Sequence, residues 1–143
     1  MNNELSIFMT YLEKKSLRLT RQREYISQKI FTTKKHFSVE DMVDVFKNNG
    51  GALGRVTIYR TIALLVDAGL LNEIDFNKGC KYYERSLNRA SHAHLVCKRC
   101  GKVTEFASSQ LENIVDKIRV TKAFEDISYD FKATGVCSAC KRK

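Results

Sequence analysis

Residues 92–106 read HAHLVCKRCGKVTEF, and this short stretch interleaves two kinds of metal ligand. Cys97 and Cys100 form a CxxC turn, which places two thiolates where both can reach one tetrahedral Zn²⁺ ion. His92 and His94 precede that turn, and imidazole nitrogens combined with carboxylates suit an ion such as Fe²⁺ or Mn²⁺. The stretch therefore indicates one built-in metal and a second metal that the protein senses.

A second CxxC pair, Cys137 and Cys140, lies near the end of the sequence and completes a Cys₄ set. The segment between the two pairs is longer than that of a compact zinc ribbon. Zinc would therefore fasten the end of the chain back onto the first turn. A redox-active dithiol is the alternative, and the reducing cytosol favours zinc over disulfides. Cys80 has no partner at a useful spacing, and we interpret it as a packed or bystander thiol.

The three histidines of the chain and two glutamates form the candidate ligand set for the sensed metal. His92 and His94 alternate, so they share one face of an extended segment. Glu105 lies on the expected returning strand, and Glu84 lies just before the expected hinge. His36 is the remaining histidine. If it joins the set, the metal bridges two domains, and its binding selects one relative orientation of them.

Length and charge limit the possible functions. A chain of 143 residues corresponds to one large domain or two small ones. No apolar run is long enough to span a membrane, and the start lacks a signal sequence, which predicts a cytoplasmic protein. The formal charge of +9 points toward a polyanionic partner such as nucleic acid. Residues 14–35 concentrate basic side chains against one acid, Glu24, although an ordinary solvated surface would also explain them.

The pattern over residues 1–84 predicts a winged helix-turn-helix DNA-binding domain with an extra helix in front. Thr20 is expected to cap the second helix, and Ser38 to open the third through a capping box. The expected elements are helices over residues 3–16, 20–31, 38–48 and 54–69, followed by strands over 70–76 and 81–84 around a turn at 77–79.

The helix over 54–69 is the expected recognition helix, because its C-terminal half is apolar and its first turns are polar and basic. Arginine can reach guanine edges, while threonine and tyrosine can hold phosphates or contact a thymine methyl. An ordinary polar surface helix is the alternative. The candidate DNA-contacting residues are Arg18, Thr20, Arg21, Arg23, Arg55, Thr57, Tyr59, Arg60 and Thr61.

Residues 85–91 are polar except for Leu87, and we place the hinge between two domains there. Residues 92–143 predict a small α/β domain suited to dimerisation. Its expected elements are strands over 94–97, 102–106 and 127–133 and a helix from Ser109 to about Val120. That helix is expected to start with a capping box, Ser109 to Glu112, and to turn an apolar face inward that comprises Leu111, Ile114, Val115 and Ile118. The fold class is therefore α+β.

These residues resemble the ferric uptake regulator family of metal-dependent repressors. The resemblance covers nearly the whole chain in the same order, and the run HxHLxCxxCGxVxE is its most specific part. The matching stretches are LTRQR at 19–23, RVTIYRT at 55–61, YE at 83–84, HAHLVCKRCGKVTEF at 92–106 and CSAC at 137–140.

The resemblance implies a homodimeric transcriptional repressor, with no small organic substrate, whose metal-loaded form binds palindromic, A/T-rich operators in double-stranded DNA. It implies a structural Zn²⁺ on Cys97, Cys100, Cys137 and Cys140. It also implies a regulatory site for Fe²⁺ or Mn²⁺ on His36, Glu84, His92, His94 and Glu105.

The branch within the family follows from the ligand types. Glu84, Glu105 and Arg60 resemble the iron-sensing members, so an Fe²⁺-sensing repressor is the leading hypothesis. Peroxide-sensing relatives, which use a similar set and oxidise a ligand histidine, are the alternative, although their carboxylates are typically aspartates. Ser91 and Ala93 replace ligands that many iron sensors use for an additional metal, so we expect no complete third site.

Two other classes of protein were weighed. A zinc metalloenzyme would use histidine-bound zinc with Glu105 as base, but the sequence contains neither HExxH nor a deaminase-type HxE. We therefore expect that the protein is not an enzyme. A zinc-ribbon interaction module would show no salt-sensitive DNA binding, whereas a repressor would show a steep salt dependence.

Overall fold

The computed structural model describes residues 2–87, 92–125, 127 and 129–143. The chain divides into two compact units, Met1–Arg89 and Ala90–Lys143. Each unit combines helices with a three-stranded sheet, as the α+β prediction required. Within the described ranges, no helix has the length and apolar character needed to cross a membrane.

The first unit is a bundle of helices closed by a β-hairpin. Its elements are α1 (Asn3–Lys14), α2 (Arg21–Phe31), β1 (Phe37–Ser38), α3 (Val39–Asn48), α4 (Arg55–Asp67), β2 (Leu71–Asp75) and β3 (Lys81–Arg85). The sheet order is β1-β3-β2, and both pairings are antiparallel. The two-residue β1 was not predicted, because so short an element leaves no periodicity in the sequence. It places Phe37 opposite Tyr83.

Local hydrogen bonds set the predicted helix starts. The Thr20 side chain accepts a bond from the Arg23 amide at 3.2 Å, so Thr20 is the N-cap of α2. Ser38 and Asp41 form a complete capping box at the start of α3, with bonds of 3.1 and 2.7 Å. Both predictions are confirmed. These caps satisfy amide groups that would otherwise lack partners at a helix start.

The core of the first unit decides which face of α4 is left for solvent. Ile58, Ile62 and Leu65 of α4 are fully buried. They pack in a cluster with Phe8, Ile26, Ile30 and Phe46 of the other helices and with Leu70, which directly precedes β2. Burial of apolar surface is the main stabilising contribution to such a cluster. The opposite face of α4 therefore remains exposed.

The second unit is built around one central strand. Its elements are β4 (Ala93–Cys97), β5 (Val103–Phe106), α5 (Ser109–Lys122), β6 (Lys132–Gly135) and α6 (Ser138–Lys141). The sheet order is β5-β4-β6, with β5 antiparallel and β6 parallel to β4. The parallel pairing aligns Cys97 with Gly135, next to the second CxxC pair.

Three expectations for this unit are corrected. The strand predicted over 127–133 begins only at Lys132, and residue 128 lies outside the described residues. The predicted capping box from Ser109 to Glu112 is absent, because Ser108 is the N-cap of α5 and makes no side-chain cap bond. The Glu112 carboxylate instead accepts a hydrogen bond from the Tyr129 hydroxyl at 2.8 Å. The apolar face of α5 is not buried as expected, because Leu111 and Val115 are only partly buried and Ile114 and Ile118 are 53% and 46% exposed.

The end of β3 is tied to the first helix by a buried ion pair. Arg85 donates from Nε and Nη2 to the two carboxylate oxygens of Glu4, at 2.9 and 2.8 Å. Glu4 is only 2% exposed. The Ser86 amide also donates to the Leu70 carbonyl at 3.0 Å. Arg85 and Ser86, which the sequence assigned to the hinge, are thus bonded within the first unit, while residues 88–91 of that hinge lie outside the described residues.

Replacing Glu4 by alanine should destabilise the first unit by about 3 kcal/mol, because it leaves the Arg85 guanidinium without its buried counter-charge. Urea unfolding followed by circular dichroism measures the loss. Glu13→Ala, which removes an exposed carboxylate from the same helix, is the matched control and should change stability little. An equal effect of the two substitutions would contradict the assignment of a stabilising role to the pair.

Candidate metal centres and nucleic-acid interface

The four cysteines of the two CxxC pairs come together in the second unit. Cys97 ends β4 and Cys100 follows in the turn toward β5, while Cys137 is the N-cap residue of α6 and Cys140 lies within it. The four Sγ atoms all lie within 4.8 Å of one another. The parallel pairing of β4 with β6 produces this convergence, because it carries the end of the chain to the first CxxC turn.

The spacing of these sulfurs fits a tetrahedral zinc ion. The Sγ atoms of Cys100 and Cys137 are 3.7 Å apart. Zn–S bonds of ~2.3 Å in a tetrahedron place the sulfurs ~3.8 Å apart. The donor set is therefore shaped for Zn²⁺ without further rearrangement at this pair.

Hydrogen bonds shift the pKa values of two of these thiols, Cys97 and Cys140, in opposite directions. Backbone amide hydrogen bonds, from Cys100 first and Cys137 next, lower the pKa of the Cys97 thiol to about 5. The Cys137 amide is 3.3 Å from the Cys97 sulfur. Hydrogen bonds with the Cys137 and Cys100 side chains raise the pKa of Cys140 to about 12. The thiolate is therefore favoured at Cys97 and the thiol at Cys140, and a divalent cation would supply the charge that lets Cys140 ionise.

A second ligand group in the same unit joins His92, His94 and Glu105. The imidazole centroids of His92 and His94 are 4.9 Å apart, and His92 Nε2 lies 3.9 Å from Glu105 Oε1. The register places His94 directly opposite Glu105 across β4 and β5. Each of the three side chains offers one ligand atom within 4.8 Å of the others. The expected shared face of the two histidines is thus present, and its donors suit Fe²⁺ or Mn²⁺.

The other two candidate ligands, Glu84 and His36, belong to the first unit. Glu84 is buried on β3, where it pairs with Asn72 of β2. The His36 ring lies against two aromatic side chains, with centroid distances of 4.8 Å to Phe76 and 6.0 Å to Tyr82. Packed aromatic neighbours fix the position of this ring just before β1. Its part in metal binding stays a prediction.

The exposed face of α4 carries most of the expected recognition residues. Arg55, Tyr59 and Arg60 are exposed, and Arg55 forms an ion pair of 2.5 Å with Glu40. Thr61 departs from the expectation, because it is 1% exposed and its hydroxyl donates to the Thr57 carbonyl at 2.8 Å. A side chain on the buried face of α4 cannot reach DNA, so Thr61 is withdrawn from the candidate contacts.

Two of the candidate residues around the start of α2 have structural roles. Thr20 caps the helix, and Arg23 donates from Nη1 to the Arg18 carbonyl at 2.6 Å. The side chains of Arg18 and Arg21 are exposed, and they are the better candidates for phosphate contacts. Sequence reasoning also passed over Val56, an exposed residue on the first turn of α4. Its position three residues before Tyr59 and four before Arg60 is the signal that could have found it.

A winged-helix unit with an exposed basic recognition helix, followed by a unit with two metal-ligand groups, defines a metal-dependent transcriptional regulator. Residues 14–134 match the model of the ferric uptake regulator family, and the chain belongs to that family. Members of this family are DNA-binding transcription factors and not enzymes.

Individual relatives agree with this assignment. The ferric uptake regulation protein of Neisseria meningitidis is 35% identical over 109 residues, which cover 76% of this chain and 74% of that protein. The solved structure of the ferric uptake regulator from Pseudomonas aeruginosa with manganese matches with a TM-score of 0.77 at 26% identity, over 90% of this chain and 96% of the other. The corresponding Francisella tularensis structure with iron matches with a TM-score of 0.70 at 26% identity, over 87% and 95%.

Replacing Cys97 by serine should abolish zinc retention and unfold the second unit, because a structural zinc site contributes roughly 10 kcal/mol or more to folding. Metal analysis of the purified protein and circular dichroism measure the two effects. Cys80→Ser, at an exposed thiol outside the Cys₄ group, is the control and should keep both zinc and fold. A Cys97→Ser protein that retained zinc would refute the Cys₄ assignment.

Proposed function

We propose that the protein is an Fe²⁺-sensing transcriptional repressor of the cytoplasm, and that its dimer binds palindromic, A/T-rich operators when the regulatory metal is bound. The observation that carries this proposal is the group of His92, His94 and Glu105, which lies beside a separate Cys₄ group in the second unit. Two donor sets of different chemistry imply two metals with different exchange behaviour.

The proposed regulatory site adds His36 and Glu84 of the first unit to the three ligands of the second. Glu84, His92, His94 and Glu105 lie in stretches that resemble the family, and the resemblance also implies His36. Because the ligands come from both units, an ion held by all five would favour one relative orientation of them. The bound metal supplies the positive charge that holds the carboxylates together. The five residues would set the coordination geometry around that metal.

The proposed metals are Zn²⁺ at the cysteines and Fe²⁺ or Mn²⁺ at the regulatory site. Two of the solved relatives contain manganese and iron, respectively, which supports the second assignment. Glutamates at positions 84 and 105, rather than aspartates, support iron sensing over peroxide sensing. A peroxide sensor would use the same set of nitrogen and oxygen donors, so the two functions differ in the fate of a ligand histidine.

The proposed partner of the second unit is a second copy of this chain. Apolar side chains are exposed on α5 and just after it, with Ile114 at 53%, Ile118 at 46% and Phe124 at 65%. Apolar surface of this kind marks an interaction site in soluble proteins. A dimer would also present two recognition helices to the two halves of a palindrome, since operator symmetry follows protein symmetry.

The proposed DNA interface combines α4 with basic residues around the start of α2. Arg55, Thr57, Tyr59 and Arg60 would face the major groove, while Arg18 and Arg21 would contact phosphates. Each phosphate contact releases counterions, so affinity should fall steeply as salt rises.

Replacing His92 by alanine should abolish metal-stimulated DNA binding and leave zinc content and fold intact. In the wild-type protein we expect Mn²⁺ to raise operator affinity by roughly 10- to 100-fold, the usual range of coupling between two sites. Fluorescence anisotropy under anaerobic conditions measures this ratio. Glu112→Ala removes a carboxylate of the same unit that is bonded to Tyr129 and should keep the ratio. If His92→Ala also kept it, the proposed sensing role of this group would fail.

Brief exposure to a low dose of peroxide should leave operator binding by the Fe²⁺-loaded protein unchanged, as expected of an iron sensor. The Mn²⁺-loaded protein is the control, because Mn²⁺ does not drive the oxidation. Loss of binding from the Fe²⁺ form alone, with an added oxygen atom on His36 or His92 in peptide mass spectra, would establish the peroxide sensor instead.

A further inference from the structure

Val56 is a large aliphatic residue on the exposed face of the recognition helix. Its side chain is 60% exposed, whereas Ile58 and Ile62 on the opposite face are fully buried. The exposed stripe of α4 continues through Tyr59, which is 56% exposed, and Arg60. Residues three and four positions apart share one helix face. An apolar side chain thus lies among the groups proposed to meet DNA, and packing within the first unit does not account for it.

We propose that Val56 contacts the C5-methyl group of a thymine in the major groove and thereby helps to determine the operator sequence. This inference rests on the proposed function, because α4 must enter DNA for the contact to form. The first residues of a recognition helix are those that contact base edges. Thymine is the base that presents a methyl group in the major groove, and apolar side chains pack against it.

The position of Val56 on α4 suits this contact. Helical side chains tilt toward the N-terminus, so Val56 projects toward the end of α4 that approaches the bases. Valine is stiff about χ1, so it loses little rotamer freedom when it is buried against DNA. The basic side chains of Arg55 and Arg60 flank it on the same helix and would hold α4 against the polyanion.

The helix geometry also limits where the thymine lies. Val56 and Arg60 are separated by four residues, or ~6 Å along the helix axis. Successive base pairs are ~3.4 Å apart. The thymine that Val56 contacts should therefore lie within roughly two base pairs of the base edge that Arg60 contacts.

Deoxyuridine, which differs from thymidine only in lacking the methyl group, tests the contact directly. The full-length, zinc-loaded protein with Mn²⁺ first selects binding sites from random duplex DNA. Each thymine of one selected half-site is then replaced in turn by deoxyuridine, and affinities are measured for the wild type and for Val56→Ala. Val120→Ala is the matched control, because Val120 is an 82% exposed valine on α5 in the other unit.

We expect one thymine at which the replacement weakens wild-type binding about fourfold, the value of one buried methyl group. Val56→Ala should bind the two DNAs equally at that position, while Val120→Ala should keep the fourfold difference. Val56→Thr, which retains one methyl and the branched shape, should give a smaller difference than the wild type.

Two results would overturn the inference, and only one of them would also overturn the proposed function. If the wild type selects no DNA sequence, both the inference and the proposed function fail. If it selects a sequence but Val56→Ala keeps the wild-type response at every thymine, only the role of Val56 fails.

Discussion

The second unit depends on the convergence of four cysteine sulfurs at the end of β4. A unit of this size has little interior: its buried apolar residues include Ala93, Val96 and Cys97, all on β4, and no residue of α5 is buried. Small domains of this kind need a metal or a partner to offset the loss of chain entropy. The sulfur spacing fits the first remedy, and the proposed dimer surface on α5 would supply the second. Zinc at the cysteines would also help to fix the positions of His92 and His94, because both precede Cys97 on the same segment.

The first unit offsets the loss of chain entropy with a larger apolar core. Its core is continuous and almost entirely apolar, with fully buried residues from all four of its helices. Two charged residues of this unit, Glu4 and Glu84, are also buried, and Glu4 is neutralised by Arg85 through two hydrogen bonds. Arg85 is next to Glu84 in sequence, and adjacent residues of a strand face opposite sides. The last residues of β3 therefore serve two purposes, one side holding α1 and the other presenting a candidate ligand.

Most of the correctly predicted features are governed by a few neighbouring residues. The Thr20 cap and the capping box at Ser38 depend on groups within three residues of one another, although the similar prediction at Ser109 was wrong. Several features that depend on distant partners were not predicted. The exposure of Thr61 was predicted wrongly because its burial depends on the packing of α4 against the core. The burial of the apolar face of α5 was predicted wrongly because an apolar stripe does not reveal whether the same chain covers it. The late start of β6 has the same cause, since the parallel pairing with β4 sets its ends.

The position of both ligand groups on one strand constrains how this protein can diverge. His94 and Cys97 are three residues apart on β4, or ~10 Å along the strand. A substitution between them that shifts the backbone would disturb the Cys₄ group and the histidine group together. A change of ion preference would disturb the Cys₄ group least if it altered ligands on other elements, such as Glu105 on β5 and the two candidates of the first unit. The metal preference of the proposed regulatory site can therefore be altered while the cysteine group is left intact.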